Sequence, residues 1–145
     1  MENKHINNNS GFTLLEIIIV MIIIGVIASL ALPRLIASVE LSRGQEALET
    51  LIQIRRGMET CSAADNPAYN DFDGCTTLAG IGVDGAPVQA HFSYGNPVVV
   101  AAAQQYSVVA TRNTREGGNG TDTITMTYNA GLTTRAGTTA FASIR

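Results

Sequence analysis

Between Phe12 and Leu32 the chain is almost unbroken hydrocarbon, with a single ionisable side chain, Glu16. About 20 consecutive apolar residues are what an α-helix needs to cross a bilayer, so this run constrains the fold more than any other segment. A carboxylate within such a span costs roughly 2.5–3.5 kcal/mol on insertion scales, which marks Glu16 as a candidate functional residue. The Gly11–Phe12 junction lies just upstream. If the chain is cut there, Phe12 gains an α-amino group one helical turn from Glu16, and a buried carboxylate is tolerated beside a buried ammonium.

Two ordinary readings compete. A secretory signal cut near Ser29-Leu30-Ala31 has an apolar core of 7–15 residues and a basic flank; here the run is longer and residues 1–10 carry only Glu2 and Lys4 as fixed charges. A plain single-pass anchor fits the length but explains neither Glu16 nor the Gly11–Phe12 junction.

Gly11-Phe12-Thr13-Leu14-Leu15-Glu16, followed by the apolar run and Pro33, resembles the processing and methylation motif of type IV prepilins and type II secretion pseudopilins. The resemblance is tight over residues 10–36 and architectural beyond. It implies a leader over 1–11 removed by a membrane aspartic prepilin peptidase, N-methylation of Phe12, and docking of subunits through Glu16 and Phe12. It also implies, as partners, identical or related pilin subunits and an inner-membrane assembly platform. The subunit would sit first in the inner membrane and then in an extracellular filament. Gly25 and Pro33 bracket the segment where this family's helix is expected to loosen during assembly.

Residues 12–64 read as one long helix in two halves. The half over 12–32 is apolar all round, as lipid requires. Gly25 and Ser29 make a small-x-x-x-small pair that allows close helix approach. Pro33 deprives the Ser29 carbonyl of its donor, so a kink is expected nearby. The half over 33–64 is amphipathic. Gly44, Ala47, Leu51, Ile54, Met58 and Cys61 recur at alternating spacings of three and four, with Leu48 and Ile52 beside them. Opposite lie Arg43, Gln45, Glu46, Glu49, Gln53, Arg56 and Glu59. Asp65-Asn66-Pro67 is a stop signal.

Residues 65–145 read as a globular head. Strand signals are His91–Tyr94, Pro97–Ala101, Tyr106–Arg112 (Tyr106, Val108 and Ala110 on one face) and Asp122–Asn129 (Ile124, Met126 and Tyr128 on one face). Glu116-Gly117-Gly118-Asn119-Gly120 reads as a hairpin loop, and Phe141–Ile144 as an added edge strand. The expectation is an α+β chain, its helix kinked near Pro33 and packed on an antiparallel sheet of three or four strands, the type IV pilin fold.

With everything after Leu32 outside the cytoplasm, disulfides can form and persist. Cys61 and Cys75 match neither a metal motif nor a Cys-x-x-Cys pair and read as a structural disulfide, the alternative being two buried thiols. Formal net charge of −3 and Arg55-Arg56 as the one basic pair argue against a nucleic-acid partner. Asn119 and Asp122 could resemble part of a calcium loop, but the acids are sparse and the segment reads equally as a turn. No nucleophile–base set, phosphate loop or haem motif occurs. No enzyme, cofactor or metal is therefore expected. Three functions remain: a type IV pilus subunit, a type II secretion pseudopilin, or an anchored extracytoplasmic binding module that does not polymerise. The Cys61–Cys75 pair resembles pilins more than major pseudopilins.

Overall fold

The computed structural model describes residues 11–65, 72–83, 91–100 and 104–144. The chain divides into two compact units, Met1–Ile36 and Ala37–Arg145. One α-helix, α1 (Leu14–Asp65), contributes to both and continues through Pro33 without a break. It starts two residues later than expected, because Phe12 and Thr13 are not helical, and it ends at the anticipated Asp65.

In the first unit, every described residue from Gly11 to Ile36 is exposed. Leu30 is 71% exposed and Leu15 67% exposed, so the apolar surface finds no cover within its own chain. The helix satisfies its backbone internally, which is the condition for an element that spans lipid. Ser29 directs its hydroxyl to the Val26 carbonyl at 2.8 Å, hiding its polar group within the helix.

The second unit is built on the amphipathic stripe. Ala47, Leu51, Ile54 and Met58 are fully buried, and Leu48 and Cys61 pack on them. Gly44 belongs to the same stripe for a steric reason. A Cβ there would lie 2.9 Å from both Phe141 Cδ1 and Ile144 Cδ1, so its bare backbone admits the C-terminal turn.

Against this stripe lies a sheet of five antiparallel strands: β1 (Phe92–Tyr94), β2 (Val98–Val100), β3 (Gln105–Arg112), β4 (Thr123–Asn129) and β5 (Leu132–Gly137). Strands β1 and β2 share one edge of β3. Phe92 opposes Arg112, and Val99 opposes Tyr106. On the other edge β3 pairs with β4, placing Tyr106 opposite Tyr128 and Val108 opposite Met126. The expected alternation holds on both strands: Tyr106, Val108, Ala110, Ile124, Met126 and Tyr128 all face the core.

Two expectations at the C-terminal end need correction. Residues Leu132–Gly137, not read as a strand, form β5 at the sheet edge. Ala130 and Gly131, with φ of 46° and 94°, make the two-residue turn that joins it to β4. Positive φ at both central residues is what a type I′ hairpin requires. Conversely, Phe141–Ile144 does not form a strand. Thr139–Phe141 is a short 3-10 turn, and the i, i+3 spacing aims both Phe141 and Ile144 into the core. Ala101 of the second expected strand lies outside the described residues.

Cys61 and Cys75 are disulfide-bonded, with Cα atoms 6.1 Å apart. The bond ties the last turn of α1 to the segment carrying Phe72. That ring meets Tyr106 edge-on at 4.9 Å and Tyr128 at 5.5 Å, while Tyr106 and Tyr128 stack at 5.1 Å. Such aromatic pairs contribute about 0.5–1.5 kcal/mol each beyond their burial. Closing a loop of this size by a disulfide stabilises by about 3 kcal/mol through chain entropy.

Cys61→Ser should therefore lower the stability of the head by about 2–4 kcal/mol. Chemical denaturation followed by tyrosine near-ultraviolet circular dichroism, with and without reductant, checks this. Reductant should destabilise the wild type and leave the variant unmoved.

Candidate functional site

The apolar helix opens with a reciprocal cap. The Thr13 amide and the Thr13 hydroxyl each donate to Glu16 Oε2 at 2.9 Å, and the Glu16 amide donates to Thr13 Oγ1 at 3.3 Å. This is a capping box, in which Thr at the N-cap and Glu three residues on satisfy each other's orphan donors. The carboxylate also sits at the positive end of the helix dipole. Only Oε2 is engaged; among the described residues nothing bonds Oε1. The sequence signature of this cap is Thr13-x-x-Glu16 ahead of an apolar run, which the reading of Glu16 as a lone membrane charge does not include.

Gly11 and Phe12 precede the cap in non-helical, exposed backbone. A Cβ at either Gly11 or Gly25 would meet nothing within 4 Å. Thus of the expected site residues, the structure joins Glu16 to Thr13, joins Cys61 to Cys75, and leaves Gly11, Phe12, Gly25 and Pro33 open.

A second cluster lies in the head, and sequence reasoning missed it. Arg112 is 1% exposed, yet carries a guanidinium into the core's rim. Its Nε and Nη2 donate to the two Glu40 carboxylate oxygens at 3.0 and 3.2 Å. Its Nη1 donates to the backbone oxygens of His91 and Asn113, and the guanidinium lies 5.9 Å from the Phe92 ring centre. Glu40 also pairs with Arg43, which bonds the Glu116 carboxylate at 2.7 Å. His91 completes the group, its two ring nitrogens 2.9 Å from Glu46 and 3.1 Å from Glu116. The cluster fastens α1 to the end of β3 and to Glu116 in the β3–β4 connection. Arg43, expected on the solvated face, is drawn in by these partners.

The Arg112 hydrogen bond, opposed by partial burial, holds the Glu40 carboxyl below its ordinary value of 4.5. The His91 hydrogen bond does the same for Glu116, with Arg43 assisting. The oxygens considered for calcium close a turn instead. Asn119 Oδ1 accepts the Thr121 and Asp122 amides, and Asn119 Nδ2 donates to Asp122 Oδ2 at 2.8 Å.

Comparison with known proteins now bears on this arrangement. Residues 6–32 match the prokaryotic N-terminal methylation motif, a span that contains Gly11, Phe12, Thr13 and Glu16. The chain is 32% identical over 83 residues to the type IV major fimbrial protein FimA of Dichelobacter nodosus, covering 57% of this chain and 52% of that one. It is 30% identical over 70 residues to the type II secretion system core protein G of Vibrio cholerae, covering 48% and 47%. For core protein G of Escherichia coli K12 the figures are 41% over 49 residues, 34% of each chain. The chain spans about half or less of the length of these relatives. No solved structure matches. The resemblance to type IV pilins and type II secretion pseudopilins thus rests on the motif, on these relatives and on a shared α+β architecture: one long apolar-to-amphipathic helix packed on a small antiparallel sheet.

Because Glu40 and Glu116 have lowered folded-state values, their contribution is present above the unfolded carboxylate range and is lost as pH falls through the folded values. The contribution of these two carboxylates to head stability should be lost as pH falls below the ordinary carboxylate range of about 4 to 4.5. Glu40→Gln should cost about 3 kcal/mol at pH 7, by leaving buried Arg112 without its counter-charge, and should flatten the acid limb. Thermal melts of both proteins across this pH range test it.

Proposed function

We propose that this chain is a structural subunit of a type IV pilus. In this reading, prepilin peptidase cleaves after Gly11, Phe12 is N-methylated, and the mature chain assembles through residues 12–32 into a helical homopolymer. Before assembly the subunit is held in the inner membrane by the same segment; afterwards it lies in an extracellular filament. The observation that carries this reading is the methylation motif at the head of a helical segment whose apolar residues are all exposed as far as Ile36. Such a surface requires lipid or copies of itself as cover. Among the described residues this one helix is long and apolar enough to cross a membrane.

The cap refines the role of Glu16. Oε2 starts the helix, leaving Oε1 to meet the Phe12 amine of a neighbouring subunit. Gly25, with open space above it, offers the smallest surface at which another helix can approach. Pro33 leaves the Ser29 carbonyl without its intrahelical donor, giving the helix a point at which to loosen.

A pseudopilin of a type II secretion system is the second reading, favoured by the several core protein G relatives. The fimbrial relative matches over the longest stretch of chain, and with the Cys61–Cys75 bridge it favours the pilus. Electron microscopy of sheared surface fibres with mass spectrometry of their main protein separates the two. Long fibres built of this chain are expected; short periplasmic assemblies with no surface fibre would support the pseudopilin.

The intact mass of the assembled subunit should correspond to a chain starting at Phe12 with one added methyl group. A start near Leu32, or a retained leader, would contradict the processing scheme.

Glu16→Ala should insert in the membrane and be cut after Gly11, yet fail to elongate. An unpaired buried ammonium costs about 3–5 kcal/mol at every subunit added. Glu16→Gln separates the two roles of this side chain, because glutamine can still close a capping box but carries no charge. It should keep the helix start, by circular dichroism of the micellar protein, and still lower fibre number sharply. Normal fibres from Glu16→Gln would assign Glu16 to capping alone.

A further inference from the structure

Among the described residues strand β5 pairs with β4 and with no other strand, which leaves its far edge unpaired there. The closing pair of the hairpin is Asn129 and Leu132. Antiparallel alternation from that pair turns the amides and carbonyls of Thr133 and Arg135 away from β4. The side chains of these two residues point to the helix-facing side of the sheet, beside Tyr128 and Met126.

There they line a cleft of about 730 Å³ bounded by Arg55 from α1 and by Ala142 and Ile144 from the C-terminal turn. Two polar atoms of its lining have no partner. Arg135 Nε and Thr133 Oγ1 are both buried without a hydrogen-bond partner. Arg55 is tied to Glu59 through Nε alone, at 2.8 Å, which leaves its terminal nitrogens as further donors. Two arginines, Arg55 and Arg135, and Thr133 therefore line a cleft beside an unpaired strand edge, and the Nε of Arg135 sits closed off from water without a partner.

We propose that this edge binds an extended acidic peptide segment, which adds as a sixth strand beside β5 and lays a carboxylate side chain into the cleft. Main-chain hydrogen bonds to Thr133 and Arg135 supply the docking, as in strand addition generally. The carboxylate supplies the choice of partner. Arg135 is an inward-pointing charge on an edge strand, a device that discourages indiscriminate pairing. A neutral or basic strand would cover this guanidinium and leave it unpaired, which is costly. A strand with a glutamate or aspartate at the facing position gives Arg135 a charge-assisted partner instead. The same residue thus repels most strands and selects acidic ones.

The full chain in detergent micelles can be titrated with a short fluorescein-labelled peptide of alternating threonine and valine carrying one central glutamate. Saturable binding is expected by fluorescence anisotropy, weakened at least about tenfold when the glutamate is replaced by glutamine. Arg135→Gln should abolish this preference, so that the two peptides bind alike. In the wild-type protein, hydrogen exchange of the Thr133 and Arg135 amides should slow on adding the glutamate peptide. That readout does not depend on any variant folding. Equal wild-type binding of both peptides, no saturable binding, or unchanged exchange at those amides would overturn the proposal. Binding of inorganic phosphate without amide protection would mark a small-anion site and would likewise overturn it.

Discussion

Everything in this molecule hangs on one helix that must satisfy two solvents in turn. Up to Ile36 the described part of the chain is bare, and its apolar side chains can be covered only from outside the chain. From Gly44 onward the same helix buries one stripe, and the sheet packs on that stripe. The first half uses backbone hydrogen bonding within the helix to make an apolar surface tolerable. The second half uses apolar contact to cover the inner face of the sheet.

The head has a distinct fastening at each end of this stripe. At one end, the Cys61–Cys75 bond and the Phe72, Tyr106 and Tyr128 rings close the chain after the helix. At the other, Arg112 reaches from the end of β3 to Glu40, with Arg43, Glu116, His91 and Glu46 around it. The aromatic end is held by ring packing and a covalent bond. The ionic end draws on carboxylates held below their ordinary values in the folded chain, so its contribution weakens in acid.

What could be read from the sequence was whatever had a period. The alternating three-and-four spacing from Gly44 to Cys61 and the period of two in β3 and β4 placed the core face of each element correctly, because burial imposes those periods directly. β5 was not legible. Its residues Leu-Thr-Thr-Arg-Ala-Gly bury no apolar face, and it is a strand through pairing with β4. Phe141 and Ile144 read as strand from composition, although their spacing of three is that of a helical turn. The ionic cluster was hidden by distance, since Glu40 and Arg112 are 72 residues apart. One clue existed: Arg112 continues the inward parity of Tyr106, Val108 and Ala110. Of the candidate site, Glu16 was legible as a lone charge and its capping role was overlooked in Thr13-x-x-Glu16.

The central claim is that the bare apolar helix is covered by copies of itself in the assembled state. A photo-crosslinking amino acid placed at Ile24, which is 55% exposed, tests this without altering Glu16 or the head. In sheared surface fibres, irradiation should produce covalent dimers and higher ladders of this chain, with the adduct mapped to residues 12–32 of the second copy. Adducts found only on lipid, or on a different protein, would contradict the account.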